Sequence, residues 1–302
     1  MINGWYKGIL LGIIWLLPGA SAAQQAVSQI IIVKSSDNAY FNQTIETLIN
    51  HVDKAVKFKV IMAADLPVDF QNSNTNKLFV ALGKSAVEVV NRLNSGISSY
   101  NAYITQEQYQ SLAIENQVTI LLEQPLHRYL AFCKLMLAID TIGIIASQQI
   151  DLDQRQTKLL ENLEIELNQY RVDTDNKLLP VLRKLLQRND VLLMLPRQSI
   201  YNRDTLKGVL LTSYRNRKPV ISYSPAHVKA GALASIYSSP VDIGRHLAIL
   251  VNQKLQDPFR QDPAIQFARF YSITSNRRVA RALGINLPGE SEIRTRLDAF
   301  KQ

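Results

Sequence analysis

Several short segments of the chain carry residue types that serve in catalysis or phosphate binding. Gly83-Lys84-Ser85 is similar to the end of a phosphate-binding loop, but that loop needs a glycine five residues before Gly83, where Leu78 stands in an apolar run. Ser36-Asp37-Asn38 is a motif of penicillin-recognising enzymes, yet no Ser-x-x-Lys occurs in the chain to supply the nucleophile. The four histidines are not spaced as metal ligands: His51, His127, His227 and His246. The sequence therefore indicates no catalytic residues, no metal site and no cofactor, and it favours a protein that is not an enzyme.

The composition is that of a globular chain. Of the 302 residues, 47% are hydrophobic and 20% are charged, which suits one large core or two medium ones. The formal net charge of +9 is compatible with an acidic partner, a membrane surface or nucleic acid. Residues 275–288 have the pattern of the first half of a DNA-binding helix-turn-helix, but acidic residues follow at Glu290 and Glu292, where the second helix would meet DNA. We therefore expect no nucleic-acid partner.

The first 23 residues differ from the rest of the chain. Lys7 precedes an apolar run that ends at Leu17, and Pro18-Gly19 and the small residues through Ala23 follow it. These are the parts of a secretory signal peptide, and the run is shorter than the roughly 20 residues that span a bilayer. We expect cleavage after Ala22 or Ala23 and a periplasmic location. The alternative is an uncleaved membrane anchor.

Strands and helices alternate along the remaining chain. Continuous apolar runs are typical of strands buried on both faces of a parallel sheet, and they predict strands over 29–33, 58–62, 77–82, 118–122, 141–145, 191–195 and 220–221. Helical periodicity predicts helices over 41–52, 85–93, 126–137, 157–169, 178–187 and 202–214. The fold class is therefore α/β with mainly parallel sheet. The chain length favours two such sheets, in two Rossmann-like lobes, over one very wide sheet.

Polar segments follow four of these strands. They are residues 34–38, 83–85, 196–201 and 222–225. Ligands of open parallel sheets bind outside the carboxyl ends of the strands, so these corners are the candidate binding residues.

The order of several motifs carries a family resemblance. The stretch SYSPAHVKAGALASIYSSPVDIGRHL, residues 222–247, joins a strand, a Ser-Pro corner, a run of small residues and a second Ser-Pro that begins a helix. In the expected order, the chain also has the segments 81–86, 124–130, 142–144, 193–196, 267–273 and 276–285. Together they resemble the substrate-binding proteins of ABC transporters with the type I periplasmic binding fold, in the subgroup of tryptophan- and tyrosine-uptake binding proteins.

The resemblance implies two lobes with parallel sheets joined by crossing hinge strands. It divides the chain into a signal peptide (1–23), lobe 1 (24–127), lobe 2 (128–232), a hinge crossing with a helix that returns to lobe 1 (233–262), and a C-terminal strand and helices (263–302). Gly231–Ser238 would be a strand that crosses between the lobes. In this fold the lobes close around a ligand, and a membrane protein recognises the closed form.

The resemblance also implies the ligand contacts and the partners. The expected contacts are Ser35, Gly83, Lys84 and Ser85 from lobe 1, and Tyr201, Tyr223 and Ser224 from lobe 2. For Ser85 and Ser224 a helix cap or turn role is an equal alternative. The expected ligand is an amino acid or a similar anionic or zwitterionic solute, and the expected partner of the monomeric protein is the permease of an ABC transporter. The alternative function is a ligand-sensing subunit of a membrane signalling or envelope assembly without transport.

Two parts of the chain depart from the better-known transport members of that family. The segments 100–106 and 117–125 replace the polar loop that lines the cleft of amino-acid binders. Arg197 and Tyr201 stand after a strand end where smaller polar residues are usual. These departures leave the identity of the ligand open.

Overall fold

A computed structural model describes residues 27–53, 56–67, 76–93, 97–114, 117–172 and 177–300. The predicted signal peptide, residues 1–23, lies outside the described residues. Up to residue 121 the elements are β1 (Gln29–Lys34), α1 (Ala39–His51), β2 (Lys57–Met62), a 3-10 turn (Ala63–Asp65), β3 (Lys77–Leu82), α2 (Lys84–Arg92), β4 (Ser98–Ile104), α3 (Gln106–Leu112) and β5 (Val118–Leu121). From residue 126 they are α4 (Leu126–Met136), β6 (Thr141–Ala146), α5 (Gln154–Leu163), β7 (Glu166–Arg171), α6 (Leu178–Arg188), β8 (Val191–Leu193), α7 (Leu206–Arg215), β9 (Val220–Ser222), α8 (Pro225–Ala230), β10 (Ala234–Tyr237), α9 (Pro240–Gln256), β11 (Ile265–Phe267), β12 (Ser272–Ser275), α10 (Arg277–Leu283) and α11 (Glu290–Ala299).

The first lobe is built on a sheet with the strand order β11-β5-β4-β3-β1-β2, in which all neighbours are parallel. Alternate residues of the apolar run in β1 enter two different cores, Ile30 and Ile32 on one face and Ile31 and Val33 on the other. Helices α1 and α9 cover the first face, and α2 covers the second. A strand buried on both faces needs an unbroken apolar run, which is why β1 and β3 are recognisable in the sequence.

The second lobe has a sheet with the order β12-β10-β9-β8-β6-β7, parallel except where β12 joins β10. Helices α4 and α11 pack on one face together with Ile142 and Ile144. Helices α6 and α7 pack on the other face together with Ile145 and Leu192. The structure thus confirms the α/β class and the two lobes with mainly parallel sheets.

The chain passes between the two lobes after β5, after β10 and after β11. We call residues 122–125, 238–239 and 268–271 the crossing segments. The second of them leads into α9, which packs closely on α1 of the first lobe, where Gly244 lies against Thr44 and Thr47. The chain therefore crosses between the lobes in three short segments, each of which directly follows a strand.

The prediction that Gly231–Ser238 is a strand crossing between the lobes needs a correction. Its strand, β10, belongs to the second sheet, where Ala234 pairs with Ile221 of β9 and with Ser275 of β12, and the crossing begins only at Ser238. Residues 225–230, where the sequence analysis predicted no helix, are helix α8. The signals for this helix are present, since the Ser224 hydroxyl caps it, Pro225 occupies its first turn, and Gly231 ends it with a φ of 128°.

Two other elements differ from their predicted form. The helix predicted over 157–169 ends at Leu163, because Glu164 adopts the left-handed conformation and the half-buried strand β7 follows. The strand β4 was not predicted because it contains polar residues such as Ser99 and Asn101, which are buried here in hydrogen bonds. A buried polar network of this kind interrupts the apolar run on which strand prediction rests. The helix α3 was not predicted because it buries no residue and so carries no apolar stripe.

Candidate functional site

The carboxyl ends of the two sheets face each other across a cleft between the lobes. Residues after β4 and β5 of the first lobe and residues after β6 and β8 of the second lobe line one cavity of about 180 Å3 in this cleft. Its polar side chains are Gln106, Glu123, Gln124, Asp151, Gln156 and Arg197, and its apolar walls include Leu126, Leu195, Pro196 and Phe267. The cavity therefore lies where the topology of open parallel sheets places a ligand.

A chain of hydrogen bonds joins the three crossing segments behind this cavity. The side-chain amide of Gln124 donates to the hydroxyl oxygen of Ser238 at 2.8 Å, and that hydroxyl donates to the carbonyl oxygen of Phe270 at 2.8 Å. Gln124 and Ser238 are both buried. Each crossing segment thus contributes one group to this series of hydrogen bonds. The bonds fix the three segments relative to one another.

Charged groups support the crossing segments from two sides. The guanidinium of Arg128 donates to the Gln124 side chain and to the carbonyl of Ala268, and it lies 4.9 Å from the centre of the Tyr271 ring. One carboxylate oxygen of Asp242 accepts the backbone N–H of Ser239 at 2.9 Å and the hydroxyls of Ser239 and Ser272 at 2.7 Å each. These bonds attach both α4 and α9 to the crossing segments.

Glu123 and Arg197 form an ion pair across the cleft. Glu123 follows β5 of the first lobe and Arg197 follows β8 of the second, and the Arg197 Nη1 atom lies 3.6 Å from Glu123 Oε1. The backbone N–H of Gln106 donates to the same carboxylate oxygen at 2.9 Å. Burial raises the pKa of the Glu123 carboxyl, and the N–H of Gln106, the N–H of Glu123 itself and the charge of Arg197 oppose this shift.

The second carboxylate oxygen of Glu123 is buried and has no hydrogen-bond partner among the described residues. Only 6% of the Glu123 surface is exposed. Buried carboxylate oxygens without partners are costly, and this oxygen retains the capacity to accept a further hydrogen bond.

The first-lobe residues that the sequence singles out lie together at the carboxyl ends of β1 and β3. The Ser35 hydroxyl accepts the backbone N–H of Ala86 at 2.9 Å, so it satisfies one donor at the start of α2. Gly83 is buried with a φ of 88°, and a Cβ there would lie 2.8 Å from Ser35 Oγ and 2.9 Å from the Phe41 ring. Lys84 and Ser85 are exposed, and Lys84 pairs with Glu88 at 3.5 Å.

The second-lobe candidates have three different positions. Tyr201 is buried in the core of the second lobe, against α6 and α7. Tyr223 is half-buried beside His227, and burial together with the carboxylate of Glu123 raises its pKa to about 12. Ser224 caps α8 by accepting the N–H of Ala226 at 3.2 Å, which is the alternative given above. Of these three, Tyr223 is the residue whose pKa is affected by the charge of Glu123, which lines the cavity.

The sequence analysis did not select Glu123, Gln106 or Arg197 as binding residues, and it noted them only within departures from the family pattern. A signal for Glu123 was present, since it directly follows an apolar run and stands two residues before Pro125, which begins a helix. Tyr103, which does not line this cavity, contributes to the packing of the first lobe. It adopts a left-handed φ of 62° at an irregularity in β4, and its hydroxyl lies 2.5 Å from that of Thr44, which donates to the Pro240 carbonyl at the start of α9.

No family model matches the chain, and no curated protein matches it in sequence. Solved structures do match it in fold. A ligand-free, open substrate-binding protein with adhesive properties from Clostridium difficile has a TM-score of 0.67 at 14% identity, over 87% of this chain and 97% of that one. An ABC domain in complex with L-Trp from Streptococcus pneumoniae has a TM-score of 0.56 at 16% identity, over 88% and 98%. A conserved domain protein from Vibrio cholerae has a TM-score of 0.53 at 16% identity, over 89% and 98%.

The architecture and these similarities define the class of the fold. The chain has the two-lobed type I periplasmic-binding-protein fold, with two six-stranded α/β sheets in the described residues. Across those same residues, no helix combines the length and the apolar character needed to cross a membrane.

Proposed function

We propose that this protein is an extracytoplasmic solute-binding protein that closes around a small molecule and presents it to an ABC transporter. The observation that carries the proposal is the cavity between the lobes, where Glu123 of one lobe pairs with Arg197 of the other. Hydrogen bonds join the crossing segments beside this cavity. The similarity to a substrate-binding protein and to a domain in complex with L-Trp supports the same function. The solute is an amino acid or a similar anionic or zwitterionic molecule.

The mechanism is closure of the lobes about the crossing segments. A ligand shifts the equilibrium between open and closed forms only by its differential affinity for them, so it must contact groups of both lobes in the closed form. Glu123 and Arg197 meet this requirement directly, because each comes from a different sheet. The contacts predicted at Ser35, Gly83–Ser85 and Tyr223 remain part of the proposal as further cleft residues.

The location is proposed on the sequence of the first 23 residues. The basic residue, the apolar run and the small residues before Gln24 favour export and cleavage. Intact-mass analysis of protein recovered from the periplasm should give a chain that starts at Ala23 or Gln24. A full-length mass in the cytosolic fraction would contradict the location and, with it, a role in import.

Binding and closure are tested on protein purified without refolding. Native mass spectrometry should detect a co-purified small molecule, and calorimetry with that molecule should give saturable binding after its removal. Small-angle scattering should then show a smaller radius of gyration at saturation, because closure brings the lobes together. Failure to bind any member of panels of amino acids, sugars and organic acids would refute the proposed function. An unchanged radius at proven saturation would refute the closure mechanism alone.

A further inference from the structure

Opposite charges from the two lobes meet at one point of the cleft. Glu123 follows a strand of the first sheet and Arg197 follows a strand of the second, and 3.6 Å separates the nearest atoms of their side chains. Both residues line the cavity of about 180 Å3. A positive and a negative group thus stand side by side, one on each lobe.

The bonding of Glu123 is incomplete. Its Oε1 atom accepts the N–H of Gln106 and faces Arg197, whereas its Oε2 atom is buried without a hydrogen-bond partner among the described residues. A carboxylate accepts several hydrogen bonds, and leaving one of its oxygens unpaired in a buried place is unfavourable. A charged donor such as an ammonium group would satisfy this oxygen best.

The guanidinium of Arg197 has more N–H donors than its contacts use. Its Nη1 atom donates to the carbonyl oxygen of Pro196 at 3.2 Å, and its other polar contact in the described part of the chain is Glu123. The side chain is 19% exposed, so most of its hydration is already lost. A guanidinium has five N–H donors in a planar fork, which matches the two oxygens of a carboxylate.

We propose that Glu123 and Arg197 together bind the charged head of a zwitterionic ligand with adjacent ammonium and carboxylate groups, as in an α-amino acid. The ligand ammonium donates to Glu123 Oε2, and the ligand carboxylate accepts from the guanidinium of Arg197. This inference rests on the proposed solute-binding function and names the ligand class of its cleft.

The dimensions of such a ligand fit the pair. In an α-amino acid the nitrogen and the carboxyl carbon are both bonded to Cα, which puts them about 2.5 Å apart. The nearest atoms of Glu123 and Arg197 are 3.6 Å apart, so the four charges can form a ring of alternating sign without separating the protein's own pair. The apolar residues Leu126, Leu195 and Phe267 remain for the ligand side chain. Since Glu123 Oε2 is closed off from solvent here, the ligand enters when the lobes part.

The first test uses ligands with one charge removed. Each of the twenty L-α-amino acids is titrated into the unmodified protein by calorimetry, and every one that binds is compared with its N-acetyl derivative and its amide. The first derivative lacks the ammonium and the second lacks the carboxylate. We expect each to bind about 10- to 100-fold more weakly, as for the loss of a charge-assisted hydrogen bond. Derivatives that bind as tightly as the parent amino acid would overturn the inference.

The second test uses Glu123→Gln and Arg197→Gln, with Glu46→Gln and Arg203→Gln as exposed controls. We expect the cleft variants to lose about 10- to 100-fold in affinity for the amino acid and the controls to lose none. Glu123→Gln should bind the N-acetyl derivative as well as the parent protein does, because that ligand offers no ammonium to Glu123. A purely structural ion pair would instead lower the unfolding temperature of the ligand-free protein and weaken both ligands equally.

The two proposals fail in different ways. Saturable binding of an uncharged solute, with no binding of any amino acid, would leave the solute-binding function standing and refute the zwitterion site. No binding of any solute would refute the function itself. If a cleft variant does not fold, the comparison of ligand derivatives on the unmodified protein still decides the inference.

Discussion

Replacing Ser238 with alanine would break the hydrogen-bond chain that joins the crossing segments. The hydroxyl is buried, accepts from Gln124 and donates to the carbonyl of Phe270, each at 2.8 Å. Two hydrogen bonds of this kind contribute about 1–3 kcal/mol in total, and the two groups left unpaired place the loss toward the upper end. At roughly 2–4 °C per kcal/mol, a loss of about 2–3 kcal/mol should lower the unfolding temperature by about 4–12 °C.

Ser235→Ala is the matched control for this experiment. Ser235 lies nearby on β10 and is 0% exposed, but its hydroxyl oxygen has no hydrogen-bond partner among the described residues. Removing that hydroxyl leaves no partner unpaired, so we expect an unchanged or slightly higher unfolding temperature. Calorimetry and urea unfolding followed by circular dichroism would measure both variants. Equal stability of Ser238→Ala and the parent, or equal losses in the two variants, would refute the stabilising role assigned to these hydrogen bonds.

Other predictions concern helix packing, pH and the start of α2. Gly244→Ala should destabilise the first lobe by about 1–3 kcal/mol, because the new Cβ would lie 2.7 Å from the carbonyl oxygen of Thr44. In the control Gly208→Ala the nearest atom would be 3.7 Å from the new Cβ, so that variant should be neutral or stabilising. The urea midpoints of the two variants would test this difference. Burial lowers the pKa of His246 to about 4 from 6.5. The unfolded chain therefore binds the extra proton first, so stability should fall as the pH falls from 6.5 to 4, and urea midpoints of His246→Gln should show a flatter pH dependence across that window. Ser85→Glu, at an exposed position in the first turn of α2, should weaken an anionic or zwitterionic ligand strongly in calorimetry with little change in ligand-free unfolding temperature; undiminished affinity would exclude an anion site there.

The sequence predicted those elements whose burial is complete. Strands such as β1 and β3 contact a core on both faces, so their apolar runs are unbroken and their ends are recognisable. It also predicted the helix at Ser239-Pro240, since a capping serine followed by proline is a local signal. Predictions failed where the local pattern allows two structures. The small residues after Pro225 suit a helix and a strand equally, and the polar residues of β4 hide a buried strand.

The candidate site depended more heavily on tertiary structure. Local pattern placed polar residues at strand ends, and the topology of parallel sheets predicted that such ends form the cleft. The pattern could not show which of these residues meet, because the three strands and three helices from α4 to β8 separate Glu123 from Arg197 in the sequence. Likewise, Gln124, Ser238 and Phe270 come from three distant segments. Periodicity indicates only which face of an element is buried. A hydrogen bond or ion pair requires that the distance between two atoms be correct to within a few tenths of an ångström, and the packing of both sheets sets that distance. Sequence patterns thus predict the fold class, the alternation of elements and the polar edge of the sheets, whereas the packing of the two sheets places particular charges opposite each other at that edge.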